Sequence, residues 1–343
     1  MAAAVPWCED NLPMIDQQEA SRTMHDASPP ILFIIFNRLD TTMEVMKAIA
    51  AERPPRMYIA ADGPRPDRKA EFSRTEEVRS AVMASIDWPC EVKTLFQNQN
   101  LGCRRGVISA IDWFFANEPE GIILEDDVVP SPEFFPYCKE MLDRYRDNPR
   151  VMMISGTNQL GAGTVTSRYL LSSLGSIWGW ASWRESWKRY DEGMTDWNQT
   201  LATELHRRHG RSTARYLSHI FDFHIKHDVD TWDTQWAYTI HANDGLAVLP
   251  EANLVRNIGV MGTHSSVETS NHNLAYGCLQ WPLAPKSLVI EDDVDYRQRL
   301  TRQILGPATT MSRASQLARK FRVHRLIRGA YRAVLATRRR LGV

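Results

Sequence analysis

From Ile31 onward the apolar positions fall into a repeating pattern. Ile31–Phe36 (ILFIIF) is a short continuous run rich in β-forming residues, and it predicts a strand buried on both faces. Thr41–Ala51 then places Met43, Val45, Met46, Ile49 and Ala50 at helical spacing, with Asp40 or Thr41 as N-cap and Pro54-Pro55 as the stop. Met57–Ala61 predicts a second strand, closed by the turn signature Asp62-Gly63-Pro64. Glu76–Ile86 reads as a helix with Val78, Val82 and Ile86 on one face, and Glu91–Phe96 alternates as a strand. Val107, Ile108, Ile111, Phe114 and Phe115 mark another amphipathic helix, and Gly121–Leu124 and Val151–Ile154 predict two more strands. This alternation predicts an α/β fold: a mixed, mostly parallel sheet flanked by helices. In such sheets ligands sit beyond the carboxyl ends of the strands.

The flanks and the second half differ. Residues 1–28 form a polar leader expected to be weakly ordered, followed by a ligand-binding half over 29–160 and a second half of the same domain over 161–310. Seven of the eleven tryptophans lie between Trp178 and Trp236, and six of the ten histidines between His219 and His272. The last segment, 311–343, is expected to be a basic amphipathic helix, with Leu317, Phe321, Ile327, Tyr331 and Val334 on roughly one stripe. Its alternatives are contact with an anionic membrane surface or lipid-linked partner, and packing on the body through that same stripe.

Charge sharpens this division. Lysine plus arginine and aspartate plus glutamate each total 41 in 343 residues, so net charge gives no argument for nucleic-acid binding. Arg313–Val343 carries ten bases and no acid, leaving 31 bases against 41 acids elsewhere. The longest apolar run is six residues, against the roughly 20 of a membrane span. The acid-rich leader lacks the pattern of a signal peptide. Five scattered cysteines without a C-x-x-C pair argue against a disulfide framework or zinc knuckle, and lead to the expectation of a cytoplasmic protein, peripheral on the inner membrane face if the tail engages it. The motifs G-x-G-x-x-G, Walker A, G-x-S-x-G and H-E-x-x-H are absent, which lowers the odds of a dinucleotide oxidoreductase, a P-loop ATPase, an α/β-hydrolase or a zincin.

The most informative segment is Ile122–Phe135, IILEDDVVPSPEFF. Three adjacent carboxylates directly after a buried strand repel one another and make sense when a cation arrives. Magnesium and manganese prefer oxygen ligands, and magnesium is usually held by one or two carboxylates plus substrate phosphates. On an extended chain Glu125 and Asp127 share one face and Asp126 takes the other, so one carboxylate can hold metal while a neighbour orients a ribose or a water.

An ordered series of motifs resembles the GT-A, Rossmann-like nucleotide-diphospho-sugar glycosyltransferases, in particular the Golgi N-acetylglucosaminyltransferase family and its bacterial relatives. The series is Asn37-Arg38 after the first strand, Asp62-Gly63 after the second, Glu125-Asp126-Asp127, Pro132-x-Phe134-Phe135, Trp178-Gly179-Trp180, Trp232-Asp233-x-x-Trp236 and Gly262-Thr263-His264, and it spans residues 30–285. The resemblance implies a hexosyl- or N-acetylhexosaminyl-transferase that uses Mn2+ or Mg2+ and a UDP- or GDP-sugar donor. It implies a glycan or lipid-linked acceptor, in bacterial polysaccharide or glycoconjugate assembly. Asp127 would hold the metal, His264 would close the site on metal or phosphate, and Asp126, with Glu125 beside it, would lie near the ribose. Asn37, Arg38 and Asp62 would contact the nucleotide, and Asp233 would be the general base of an inverting transfer. The family segment reads W-D-D-W, whereas here one acid is missing and an extra residue separates the tryptophans. Two readings compete with this one. A sugar-nucleotide pyrophosphorylase would need a basic, glycine-rich loop where Asn37-Arg38-Leu39-Asp40 stands, and a carbohydrate- or membrane-binding protein on a degenerate transferase fold would not need the acidic triplet.

Other constellations are less specific. Asn100–Gly106 (NLGCRRG) precedes a helix, and its two arginines, Arg104 and Arg105, either meet a donor phosphate or ribose, with Gly102 and Arg105 the binding candidates, or form a surface pair bound to a nearby acid. The WGWASWRESW run reads mainly as core, with Trp180 its best surface candidate and Trp180 and Trp232 the candidates for stacking an acceptor sugar. His219, His224 and His227 lack the spacing of a known metal site. A second E-D-D, Glu291-Asp292-Asp293, reads as a surface turn.

Overall fold

The computed structural model describes residues 28–161, 168–259, 274–279, 281–283 and 289–305. The chain divides into two compact units, 1–297 and 298–343. The second is described only over 298–305, which is helical. The expected leader and basic tail lie outside the described residues, so the membrane question attached to 312–343 does too. Among the described residues no helix is long and apolar enough to cross a membrane.

The first unit opens with the predicted rhythm: β1 (Ile31–Ile35), α1 (Leu39–Glu52), β2 (Arg56–Ala61), α2 (Lys69–Ala84), β3 (Glu91–Phe96), α3 (Gly102–Asn117) and β4 (Glu120–Glu125). These four strands pair in parallel in the order β3-β2-β1-β4. Ile31, Leu32 and Phe33 of β1 are wholly buried between two parallel neighbours, which is why that run is apolar without alternation. α1 buries Val45, Met46 and Ile49 on the sheet and ends at Arg53, whose left-handed φ of 54° precedes the two prolines. Its cap differs from expectation. Thr42 bonds back to the Arg38 carbonyl, so the helix begins at Leu39 and neither Asp40 nor Thr41 caps it. α2 starts at Lys69 rather than near Glu76, because Glu71 in its first turn is held by the Arg65 backbone N–H and guanidinium.

The sheet continues with a mixed half. A two-stranded ribbon pairs β5 (Val128–Pro130) with β10 (Val255–Asn257), and α4 (Phe134–Tyr145) leads into β6 (Val151–Ser155). β7 (Tyr169–Ser172), β8 (Trp180–Trp183) and the short α5 (Arg184–Trp187) precede the long α6 (Gln199–His227), α7 (Asp233–Ala242) and β9 (Leu246–Pro250). The full order is β3-β2-β1-β4-β8-β6-β9-β7, with β7 and β8 running against the other six. The fold is therefore α/β, with a large, mostly parallel central sheet flanked by helices.

The tryptophan run forms core. Trp180 is wholly buried and stacks on Trp232 at 5.7 Å between ring centroids, and Trp187 and Trp236 complete the cluster at 5.3 Å. Trp187 anchors it by donating to Asp112 Oδ1 at 2.7 Å. Such pairs contribute about 0.5–1.5 kcal/mol each beyond their burial. The expectation of Trp180 and Trp232 as an exposed sugar-stacking surface is corrected: they are 0% and 2% exposed, and their rings are spent on each other.

Two further expectations are corrected. The second E-D-D is no surface turn at its centre. Asp292 accepts from Ser173 N at 3.1 Å and Ser173 Oγ at 2.7 Å, and pairs with the buried Arg297, so it fixes its segment to the sheet edge after β7. Cys90, Cys103 and Cys138 are free thiols, and Cys278 is disulfide-bonded. One bridge is not a framework, yet it removes cysteine usage as an argument for a reducing compartment.

Candidate functional site

Strand register collects the predicted acids at one edge. Ile34 of β1 lies opposite Glu125 of β4, and Ile35 opposite Ala61 of β2. The residues that follow these positions are Asn37-Arg38, Asp126-Asp127 and Asp62, so three loops emerge side by side at the carboxyl ends of the sheet. The Arg38 guanidinium bridges two of the acids, donating to Asp126 and, at 2.8 Å, to Asp127 Oδ2. The ribbon covers the Asp126-Asp127 loop. Ile258 N donates to the Asp127 carbonyl at 2.8 Å, and a Cβ at Gly259 would overlap Asp127 Oδ2, so a larger residue there must displace that carboxylate.

The acids outnumber the cation facing them. Burial first, then the charges of Asp127, Asp126 and Asp233, push the Glu125 carboxyl up to about 8. Asp126 is 6% exposed, and burial pushes it up to about 6 against the pull of Arg38. Asp62 is also raised by burial, partly offset by the backbone N–H groups of Leu101, Gly63 and Gly102. Asn100 Nδ2 and Leu101 N hold its two oxygens at 2.8 and 2.9 Å. Carboxylates left this short of positive charge fit an oxygen-seeking divalent ion. No set of three or more His, Cys, Asp or Glu side chains in metal-holding geometry occurs among the described residues. An ion here would take one or two of these carboxylates and complete its shell from a ligand's oxygens.

The acceptor-side candidate stands at a helix start. Asp233 is the first residue of α7, an exposed acid whose Oδ1 accepts from Thr231 Oγ1 and from Thr234 N. The adjacent Trp232 is buried in the aromatic cluster and Tyr190 OH donates to its carbonyl at 3.0 Å, so the helix start is held rigidly. The Cys103 thiol is pushed up to about 12, first by burial and then by the charges of Glu125, Asp230, Asp233 and Asp62.

The start of α3 resolves the NLGCRRG segment. Gly102 adopts φ 84°, a left-handed value that suits glycine. Asp230 supplies the anion at this helix end, accepting from Cys103 N at 3.1 Å and Arg104 N at 3.0 Å. Arg104 pairs with Asp228 at 2.8 Å, so for this arginine the surface-pair reading holds. Arg105 is exposed and forms no ion pair among the described residues. Asp228, Asp230 and Asn100 escaped the sequence reading; the density of acids just before Trp232-Asp233 was the available signal. His264 lies outside the described residues. His224 is structural, with its ring bonded to the Ile220 carbonyl and to Thr234 Oγ1. A cavity of about 800 Å3 opens beside Arg38, lined by Asn37 and Asp40, by Arg74 and Glu77 of α2, and by Ile258.

No protein family description matches the chain, and no curated protein matches its sequence. Among solved structures it is similar to a mannosyltransferase from Pyrobaculum calidifontis in complex with GDP-Man and Mn2+, at 11% identity over 66% of this chain and 75% of that one, TM-score 0.35. It is also similar to a UDP-glucose pyrophosphorylase complexed with UDP-glucose, at 9% identity over 67% and 94%, TM-score 0.34. A third is HddC from Yersinia pseudotuberculosis, at 9% identity over 46% and 77%, TM-score 0.29. Likenesses this partial carry no argument about activity, and the resemblance to the Golgi transferase family rests on the motifs alone.

Proposed function

We propose that this protein is a glycosyltransferase that moves a sugar from a nucleoside-diphosphate donor to an acceptor hydroxyl, with inversion at the anomeric carbon. One observation carries the reading. The triplet Glu125-Asp126-Asp127 ends the parallel strand β4 at the carboxyl edge of the sheet with Arg38 bridging Asp126 and Asp127, and the charge of Asp233 is among those that raise the Glu125 carboxyl.

In this reading Asp127, with Asp126 or Glu125, holds Mn2+ or Mg2+, which when bound neutralises the departing diphosphate as a Lewis acid. Arg38 sits against the same carboxylates and adds a second positive charge for the phosphates. Asp62, fixed by Asn100 and Leu101, presents its remaining lone pairs to the nucleoside. The cavity beside Arg38 is of the size that ligand sites commonly have, ~300–1,000 Å3, and its lining holds Asn37 and Arg38 but none of Asp62, the acidic triplet or Asp233. Asp233 takes the proton of the attacking hydroxyl, help worth roughly 10²–10⁴-fold. His264 is assigned to metal or phosphate by the resemblance only. The buried Trp180 and Trp232 form the floor that sets the position of Asp233, and the acceptor meets other groups.

The test is calorimetric titration of UDP and GDP, with and without Mn2+, into the wild type and Asp127→Ala. Metal-dependent binding of one nucleotide, lost in the variant, is the expected result. Binding of neither nucleotide, or binding indifferent to the substitution, overturns the donor site. Asp233→Asn should then abolish transfer while leaving nucleotide affinity unchanged, and a product of retained anomeric configuration would refute the role of Asp233.

A further inference from the structure

The long helix α6 is two limbs, not one. Gly210 interrupts it with φ 77° and ψ 169°, outside any helical conformation, and separates the limbs 199–209 and 211–227. Between them lies a cleft of about 710 Å3 whose lining shares no residue with the cavity beside Arg38. Its walls carry Trp197, His206, Arg211, Arg215, Ser218 and Asp222.

Three features of this cleft point the same way. Trp197 is fixed rather than loose: its Nε1–H donates to Asp222 Oδ1 at 2.8 Å, and its ring packs edge-on against Phe221 at 5.2 Å. It remains half-buried, so a rigid indole borders the cleft. Arg211 and Arg215 stand one helical turn apart on the opposite limb, both exposed. Their neighbours are neutralised, Arg207 by Glu204 at 2.6 Å and Arg208 by Asp244 at 2.9 Å, but neither Arg211 nor Arg215 forms an ion pair among the described residues. The one acid of the lining, Asp222, is already bonded to the indole, so the cleft keeps a positive balance.

We propose that this cleft binds an anionic carbohydrate, with an apolar sugar face against Trp197 and acid groups on Arg211 and Arg215. A guanidinium pair recognises carboxylate or phosphate through forked hydrogen bonds, and an amphipathic ring suits a surface that is apolar on one side and wet on the other. The site is separate from the donor chemistry and stands whether or not that reading holds.

The experiment is calorimetric titration of the intact chain with a galacturonic-acid disaccharide, its neutral galactose counterpart and inorganic phosphate. The acid disaccharide should bind, and the neutral one should bind at least roughly tenfold more weakly, the cost of losing a charge-assisted hydrogen bond. Arg211→Ser with Arg215→Ser, both exposed and free of ion pairs, should lose a similar factor without loss of fold. Trp197→Phe, which keeps the ring packing on Phe221, should weaken the acid disaccharide but leave phosphate unaffected. Unchanged affinity in the double-arginine variant, no binding of the acid disaccharide, or phosphate binding as tightly as the disaccharide would each overturn the proposal.

Discussion

Asp230 joins the two halves of the candidate site, and removing its carboxylate tests whether that joint sets the chemistry. Its two oxygens accept from Cys103 N and Arg104 N at 3.1 and 3.0 Å, and it lies three residues before Asp233. Losing an N-terminal capping side chain costs about 0.5–2 kcal/mol. The lost attraction of a carboxylate for the helix end adds about 0.3–1 kcal/mol. Asp230 is exposed, and solvent screens the charged part, so Asp230→Ala should cost ~1–2 kcal/mol. Asp230→Asn keeps a capping oxygen and should cost a few tenths of a kcal/mol, roughly. Urea unfolding with an unchanged m-value reads these differences. The functional half of the prediction is stricter. With only Arg104–Asp228 still tying this segment to α3, and Trp232 alone anchoring the helix start, Asp233 is less firmly placed, so transfer should slow about 10–100-fold while nucleotide affinity holds within roughly twofold. An Asp230→Ala protein of unchanged stability and unchanged transfer rate would refute the idea that this contact positions Asp233.

Three other outcomes follow from the same geometry. His241 is buried, with burial the main cause of a pKa lowered from 6.5 to about 3. Below pH 6.5 the unfolded chain takes up a proton that the folded chain refuses until about pH 3. Stability from this residue is therefore lost as pH falls through that window, by about 1.4 kcal/mol per unit. Asp126 and Glu125, both raised, act in the opposite sense, so the reading is the difference between wild type and His241→Gln in urea midpoints at pH 7 and pH 5; equal drops would count against it. Gly259→Ala drives a methyl into Asp127 Oδ2 and should weaken metal-dependent nucleotide binding about 10–100-fold, measured by calorimetry. Asp292→Ala strands Arg297, whose side chain is 4% exposed, and should cost about 3 kcal/mol in chemical denaturation; a cost below about 1 kcal/mol would show that the pair is not a latch.

Much of the sheet was legible in the sequence because a strand buried on both faces must be apolar along its whole length. Ile31–Ile35 and Val151–Ser155 fall where that pattern put them, and the edge strand Glu91–Phe96 falls where its alternation did. The acidic triplet was legible for the complementary reason: charges that end an apolar run must leave the core where the strand does. α2 began earlier than its apolar stripe because its first turn is fixed by a polar contact, Arg65 with Glu71, that leaves no periodic trace. α6 was invisible for the same reason. It buries only a sparse set, including Leu205, Leu217 and Phe221, across two limbs broken at Gly210.

The remainder was decided in three dimensions. Spacing read the tryptophan run mainly as core and left Trp180 and Trp232 as candidates for stacking a sugar, but each finds its partner about fifty residues away and is buried by it. Two E-D-D triplets of identical composition part ways: one stays short of positive charge at the carboxyl end of a parallel strand, and the other is neutralised by Arg297 and Ser173. Local sequence fixes what a segment can bury and which charges it carries. Whether a charge is met or left waiting depends on contacts such as Asp230 with α3, across more than 120 residues, which only the folded sheet brings within hydrogen-bonding distance.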